Sequence, residues 1–121
     1  KHNKNYYKKY KKWCDKYFYL PHRNEARGIG GIFFDYKNKN WEKDFSFVRE
    51  IGISFKNIFR EVILKKHKIK WTKQQKEIQY EKRGRYAEFN LLYDKGTKFG
   101  LQTDGNVEAI LMSLPPLAKW K

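Results

Sequence analysis

The chain has 121 residues, enough for one domain, and a formal net charge of +15 that points toward an anionic partner. Its single cysteine, Cys14, excludes disulfide stapling and suits a reducing compartment, and 18% aromatic residues exclude a disordered tail. No apolar run reaches transmembrane length, and no signal-peptide pattern is present. The charge excess is nearly all lysine, alongside abundant Asn, Ile, Tyr and Phe, as an AT-rich genome produces. The sparse arginines are more telling, because two tight groups, Arg23 with Arg27 and Arg83 with Arg85, hold most of them. Arginine is the residue suited to bidentate carboxylate or phosphate binding.

Residues 3–20 place Tyr6, Tyr10, Trp13, Tyr17 and Leu20 in steps of four and three, which predicts a helix packed on a sheet through its aromatic stripe. Cys14 reads as a small buried residue. The sequence does not begin with Met and opens inside this helical pattern, so a fragment of a larger fold is expected. Pro21 ends the helix, and His22-Arg23-Asn24-Glu25-Ala26-Arg27 follows, dense in groups that coordinate, transfer protons or bind anions. Gly28, Gly30 and Gly31 then permit close approach of a backbone or ligand, and Ile32-Phe33-Phe34-Asp35 predicts a buried strand over about 29–35. The glycines precede that strand, so they form no dinucleotide fingerprint, and no Gly-Lys-Ser/Thr follows them.

A helical period returns from Trp41 through Phe45, Val48, Ile51 or Gly52, Phe55, Ile58 or Phe59, and Val62, predicting a core helix over about 41–66. His67 has Ile63 and Trp71 at the flanking helical positions and reads as surface. Thr72 with Gln75 forms a capping-box pattern for a short helix over about 73–81. Residues 85–102 read as a hairpin about the turn Asp94-Lys95-Gly96. Its first strand would place Ala87, Phe89, Leu91 and Tyr93 on one face and Tyr86, Glu88, Asn90 and Leu92 on the other. After Asp104-Gly105-Asn106, an apolar helix over about 107–114 stops at Pro115-Pro116.

No nucleophilic triad, CxxC, HExxH or His-x-His occurs, so a metal at His22 would need co-ligands from outside this chain. His22 also fits a hydrogen-bonded structural role, Asp35 can cap a turn, and Arg83 and Arg85 can neutralise a helix end or clamp a carboxylate.

Several blocks together carry a resemblance: Lys12-Trp13-Cys14-Asp15, His22-Arg23-Asn24-Glu25, Arg27-Gly28-Ile29-Gly30-Gly31-Ile32-Phe33-Phe34-Asp35, Arg83-Gly84-Arg85-Tyr86-Ala87-Glu88-Phe89-Asn90-Leu91, Asp94-Lys95-Gly96-Thr97 and Ile110-Leu111-Met112-Ser113-Leu114-Pro115. In this order the chain resembles the C-terminal part of the oxygen-dependent coproporphyrinogen III oxidases. The resemblance implies an α+β fold, a broad antiparallel sheet flanked by helices, of which residues 1–121 form the C-terminal portion of a single domain. It implies a cytoplasmic, bacterial-type homodimer with residues 86–121 at the interface and no nucleic-acid partner. The implied activity is oxidative decarboxylation of two propionates of coproporphyrinogen III to vinyl groups in haem biosynthesis. Molecular oxygen is the oxidant, with no flavin, haem or nicotinamide, and a divalent metal, often manganese, is invoked for some members.

By position in these motifs, His22 matches a metal-associated histidine, and His22 and Asp35 are the candidates for chemistry, Asp35 by holding the pyrrole N–H groups. Arg27, Arg83 and Arg85 are candidates for a propionate clamp. Asp104-Gly105-Asn106 matches a substrate-contacting segment that is commonly Gly-Gly-Arg. It departs at both ends: Asn106 hydrogen-bonds where an arginine would grip a propionate, and Asp104 adds a negative charge. The family's other histidines lie in an N-terminal half, so this chain by itself is expected to be inactive. The alternative is a non-catalytic remnant serving as a dimerisation or porphyrin-binding module.

Overall fold

The computed structural model describes residues 2–121. Its elements in chain order are α1 (Tyr6–Tyr17), β1 (Tyr19–Leu20), a 3-10 turn (Pro21–Arg23), β2 (Glu25–Ala26), α2 (Trp41–Lys66), α3 (Lys73–Leu92), α4 (Lys95–Gln102) and α5 (Val107–Leu111). The expected broad antiparallel sheet is not the architecture: the protein is 62% helical, and the sheet among the described residues has two strands. Those strands pair antiparallel, Tyr19 with Ala26 and Leu20 with Glu25.

The segment expected to be a hairpin is helical. Between Arg83 and Leu92 the sequence has no β-branched residue, and Arg85, Ala87, Glu88, Leu91 and Leu92 are strong helix formers. The helix begins at the Thr72–Gln75 capping box, where both reciprocal hydrogen bonds are present, and runs on through Gly84. Gly84 is no terminator here. It is buried, and a Cβ at that position would overlap the carbonyl oxygen of Lys119, so the missing side chain lets the C-terminal segment lie against α3. Asp94-Lys95-Gly96-Thr97 is likewise a helix start and not a turn. The Asp94 carboxylate accepts from the Thr97 backbone N–H at 2.7 Å and its hydroxyl at 2.9 Å, capping α4.

The stretch expected as a strand at 29–35 is irregular. Among the described residues no strand pairs with it, and a backbone hydrogen bond and aromatic packing hold it instead. The Phe33 N–H donates to the Tyr10 carbonyl at 3.2 Å, Phe33 stacks on Tyr17 at 4.8 Å, and Phe34 packs against Tyr10 and Phe47. Ile29 is fully exposed.

Two aromatic groups on α1 form the core. Tyr6 and Tyr10 meet Phe34 and Phe47, whereas Tyr17 and Phe18 meet Phe33 and Phe89, the last only 1% exposed. Cys14 lies buried between them. Thus α1 packs on helices and an extended segment, not on a sheet. Among the described residues no helix is long and apolar enough to cross a membrane.

Candidate functional site

The two-residue strands β1 and β2 present the tip Pro21–Glu25 to one face of α3. Asn24 closes the tip in the left-handed region, φ 54°, which asparagine tolerates better than most residues. On α3, Arg85 and Glu88 are three apart and share that face. The Arg23 guanidinium grips the Glu88 carboxylate bidentately, with Nε and Nη2 both at 2.6 Å, and its Nη1 donates to the Lys121 carbonyl at 3.2 Å. His22 Nε2 lies 2.9 Å from Glu88 Oε2, and Nδ1 lies 2.8 Å from the Tyr93 hydroxyl. Because a carboxylate only accepts, Nε2 carries the proton, and in the neutral ring Nδ1 accepts from Tyr93. Arg85 bonds Glu25, which Lys82 also reaches at 3.2 Å. The Arg23 contact first, then that of His22, holds the Glu88 carboxyl below the usual carboxylate range. Arg85 first, then Lys82, does the same for Glu25.

A separate cleft of about 640 Å³ opens between the end of α1, the glycine segment and the first half of α3. Asp15, Arg27, Gly28, Gly30, Lys82 and Arg83 are among its lining residues. The Arg27 backbone is fixed by donation to the Phe18 carbonyl at 3.0 Å. Its guanidinium lies 4.3 Å from the Phe18 ring, 4.8 Å from Tyr86 and 5.3 Å from Phe89, and this burial pulls its pKa below the usual value. Arg83 lies 4.3 Å from the same Tyr86 ring. Hydrogen bonding to Ser113 first, then to Asn90, and the two guanidinia lower the Tyr86 phenol pKa. The guanidinia of Arg27 and Arg83 meet one carboxylate here, Asp15, which is itself paired with Lys11 at 2.6 Å, while the Lys82 ammonium is held by Glu25. The cleft is therefore a cationic, aromatic-walled recess open to a carboxylate ligand.

The structure thus divides the residues singled out from the sequence. Arg27 and Arg83 share the glycine cleft, while Arg85 turns away to Glu25. His22 belongs to the Glu88 cluster. Asp35 is exposed and lines a different recess, of about 620 Å³, with Lys37 and Lys39. Asp104-Gly105-Asn106 joins α4 to α5. Asp104 has φ 54°, the Gly105 N–H donates to the Gly100 carbonyl, and the Asn106 side chain accepts from the Ala109 N–H at 3.2 Å, capping α5. Glu88 is expected only on the polar face of a strand, beside Tyr86 and Asn90, and Tyr93 and Lys82 carry no expected site role; reading 82–92 as a helix would have set Lys82, Arg85 and Glu88 on one face.

The metal implied by the resemblance does not fit the described residues. Both His22 nitrogens are engaged, and no group of three His, Cys, Asp or Glu side chains is arranged to hold an ion.

Comparison with known proteins gives a consistent result. The family model described as coproporphyrinogen III oxidase matches residues 1–121. The chain is 60% identical over 121 residues to the oxygen-dependent coproporphyrinogen-III oxidase of Rickettsia bellii (strain OSU 85-389), covering 99% of this chain and 43% of that protein. It is 59% identical to the protein of the same name from Rickettsia akari (strain Hartford) and 58% to that from Rickettsia conorii (strain ATCC VR-613 / Malish 7), with the same coverage. It spans 43% of the length of these curated relatives. With its whole length matched and this degree of identity, the chain belongs to the coproporphyrinogen III oxidase family.

Proposed function

We propose that these residues form the C-terminal, tetrapyrrole-binding part of an oxygen-dependent coproporphyrinogen III oxidase acting in the cytoplasm. The glycine cleft receives one of the substrate's propionates. The observation that carries this is the pair Arg27 and Arg83, both held against Tyr86 at the mouth of a cationic recess. A propionate carboxylate entering there would meet two guanidinia, with aromatic walls for the pyrrole edge. Converting a propionate to a vinyl group releases CO2 from the carboxylate and a hydride equivalent from the side-chain carbon next to the pyrrole ring, and with one proton that hydride reduces molecular oxygen to hydrogen peroxide. Molecular oxygen takes the two electrons. The cleft's contribution is to hold and orient the carboxylate.

Taken alone, the 121 residues are expected to bind without turnover. His22 is committed to Glu88 and Tyr93, and Asp35 opens into another recess, so neither is within reach of a proton at the cleft. In this reading Asp104-Gly105-Asn106 acts through the α4–α5 junction. The homodimer implied by the resemblance would use the exposed apolar residues Leu92, Phe99 and Met112 within 86–121.

The test is titration of the chain with coproporphyrin III, the stable oxidised analogue, followed by its fluorescence, with the tetramethyl ester as a charge-free control. Arg27→Ala and Arg83→Ala should each weaken binding about tenfold or more, and the ester should bind weakly to all forms. Equal affinity in the variants and the parent would overturn the assignment of the cleft. Aerobic incubation with coproporphyrinogen III should yield no protoporphyrin fluorescence after oxidation.

A further inference from the structure

The connection between α2 and α3 concentrates charge that other parts of the fold balance. Lys65, Lys66, Lys68, Lys70, Lys73 and Lys76 fall within a stretch, 65–76, that holds no Asp or Glu. Lys11, Lys37, Lys82, Lys119 and Lys121 each pair with a carboxylate, and among the described residues none of those six does. All of the six except Lys76 are exposed. An AT-rich base composition raises lysine everywhere and does not explain this segregation. Helix electrostatics account for part of it, since Lys65 and Lys66 stand in the last turn of α2, where cations are favoured. Lys73 and Lys76 open α3, where cations are disfavoured, and no acidic residue stands in that first turn to offset them. Like charges gathered in this way are stabilised by an anionic partner. Lysine is also depleted from cores and interfaces, so this segment faces solvent in a longer protein as well.

The patch also has a place for a ring. A recess of about 530 Å³ is lined by Lys66, Lys70, Trp71, Gln75, Lys76 and Gln79, among others. Trp71 is 69% exposed. Lys76 Nζ lies 5.7 Å from the Trp71 ring centroid and 5.0 Å from that of Tyr80, and it donates to Gln79 Oε1 at 2.7 Å. One side of the indole is thus held by a cation, and the rest is free to stack. Gln75 Oε1 accepts from the Thr72 N–H at 2.8 Å. With both amide oxygens engaged, the NH2 groups of Gln75 and Gln79 are left as donors, complementary to the carbonyls of a pyrimidine base. An exposed indole among lysines suits an unpaired base, whose ring stacks while the lysines hold its phosphates. Six lysines exceed what one nucleotide requires, which favours a strand over a free nucleotide. A membrane surface is the poorer fit, because Ile69 and Trp71 are the large apolar residues of 65–76 and form no immersible face.

We propose that the α2–α3 connection binds single-stranded nucleic acid, with a base stacked on Trp71 and the neighbouring phosphates on Lys66, Lys68, Lys70 and Lys73. This goes beyond the family resemblance, which implies no such partner, and it uses none of the residues of the glycine cleft. The test is titration of the 121-residue chain with a short fluorescein-labelled oligouridylate, followed by anisotropy at several salt concentrations. Lys66→Gln, Lys68→Gln and Lys70→Gln combined should weaken binding about tenfold or more. They should also make the dependence of log K on log salt shallower by about 2, since each phosphate contact contributes about 0.7. The same charge loss on α1, Lys8→Gln with Lys12→Gln and Lys16→Gln, should leave affinity within about twofold. Trp71→Ala should weaken binding about tenfold with an unchanged salt dependence, and Trp71→Phe should restore most of it. Far-ultraviolet circular dichroism should be the same for all forms. The parent should bind the oligomer about tenfold or more tightly than uridine monophosphate or phosphatidylglycerol vesicles at matched phosphate. No binding, equal losses from the two lysine sets, indifference to Trp71→Ala, or no preference for the oligomer would each overturn the proposal.

Discussion

Replacing Glu88 by glutamine keeps the side chain's shape and removes its charge, at the point where Arg23, His22 and Arg85 converge. The carboxylate is 11% exposed and receives two 2.6 Å bonds from Arg23, one at 2.9 Å from His22, and a 3.8 Å approach from Arg85. Breaking a buried pair by removing one partner costs about 3–5 kcal/mol. Partial exposure of Arg23 allows some rehydration, which brings the expected loss to about 2–3 kcal/mol. For a chain of this size that is a fall in Tm of roughly 10 °C. Urea denaturation followed by circular dichroism at neutral pH measures it. Glu77→Gln, which removes an exposed partner of Lys119, is the control and should leave stability unchanged. A loss below about 0.5 kcal/mol for Glu88→Gln would refute the reasoning, because the Arg23–Glu88 grip would then not hold the hairpin tip on α3.

Acid should destabilise the protein through the same cluster. Carboxyls held below their ordinary value, as Glu88 and Glu25 are, add stability that is complete above the unfolded-state value near 4.5 and lost as pH falls through the lower folded values. Stability measured from pH 6 downward should therefore drop below about pH 4.5, less steeply in Glu88→Gln; equal slopes would count against this account. Thr72→Ala removes one half of the capping box and should cost about 1 kcal/mol in urea denaturation. Gly84→Ala forces a methyl group toward the Lys119 carbonyl and should cost about 1–3 kcal/mol, with earlier proteolytic release of the C-terminal segment.

The helices were legible where the signal was local. The apolar spacing from Trp41 and the reciprocal Thr72–Gln75 pair each specify a helix within a few residues, and α2 and α3 begin at Trp41 and Lys73. Between residues 82 and 92, alternation and helical spacing both fit the apolar residues, and the glycine at 84 suggested a stop. Propensity and the packing of Lys119 over Gly84, a contact 35 positions away, decide for helix. The segment 29–35 had the composition of a buried strand, but a strand needs partners, and no local pattern shows whether they exist. Among the site residues, the sequence groups Arg23 with Arg27 and Arg83 with Arg85, whereas the fold lines one cleft with Arg27 and Arg83 and turns Arg23 and Arg85 to Glu88 and Glu25. The commitment of His22 to Glu88 and Tyr93 was not legible either, since it spans more than sixty residues and depends on which way α3 is turned.

The position of Tyr86 between Arg27 and Arg83 gives the cleft its own reporter. Hydrogen bonding to Ser113 first, then to Asn90, and then the two neighbouring guanidinia make the phenolate easier to form, so its absorbance should appear at lower pH than that of an ordinary tyrosine. A carboxylate settling between the guanidinia would cancel their field and push that titration back up. Occupancy could then be followed optically with colourless carboxylates, with no porphyrin chromophore, label or turnover.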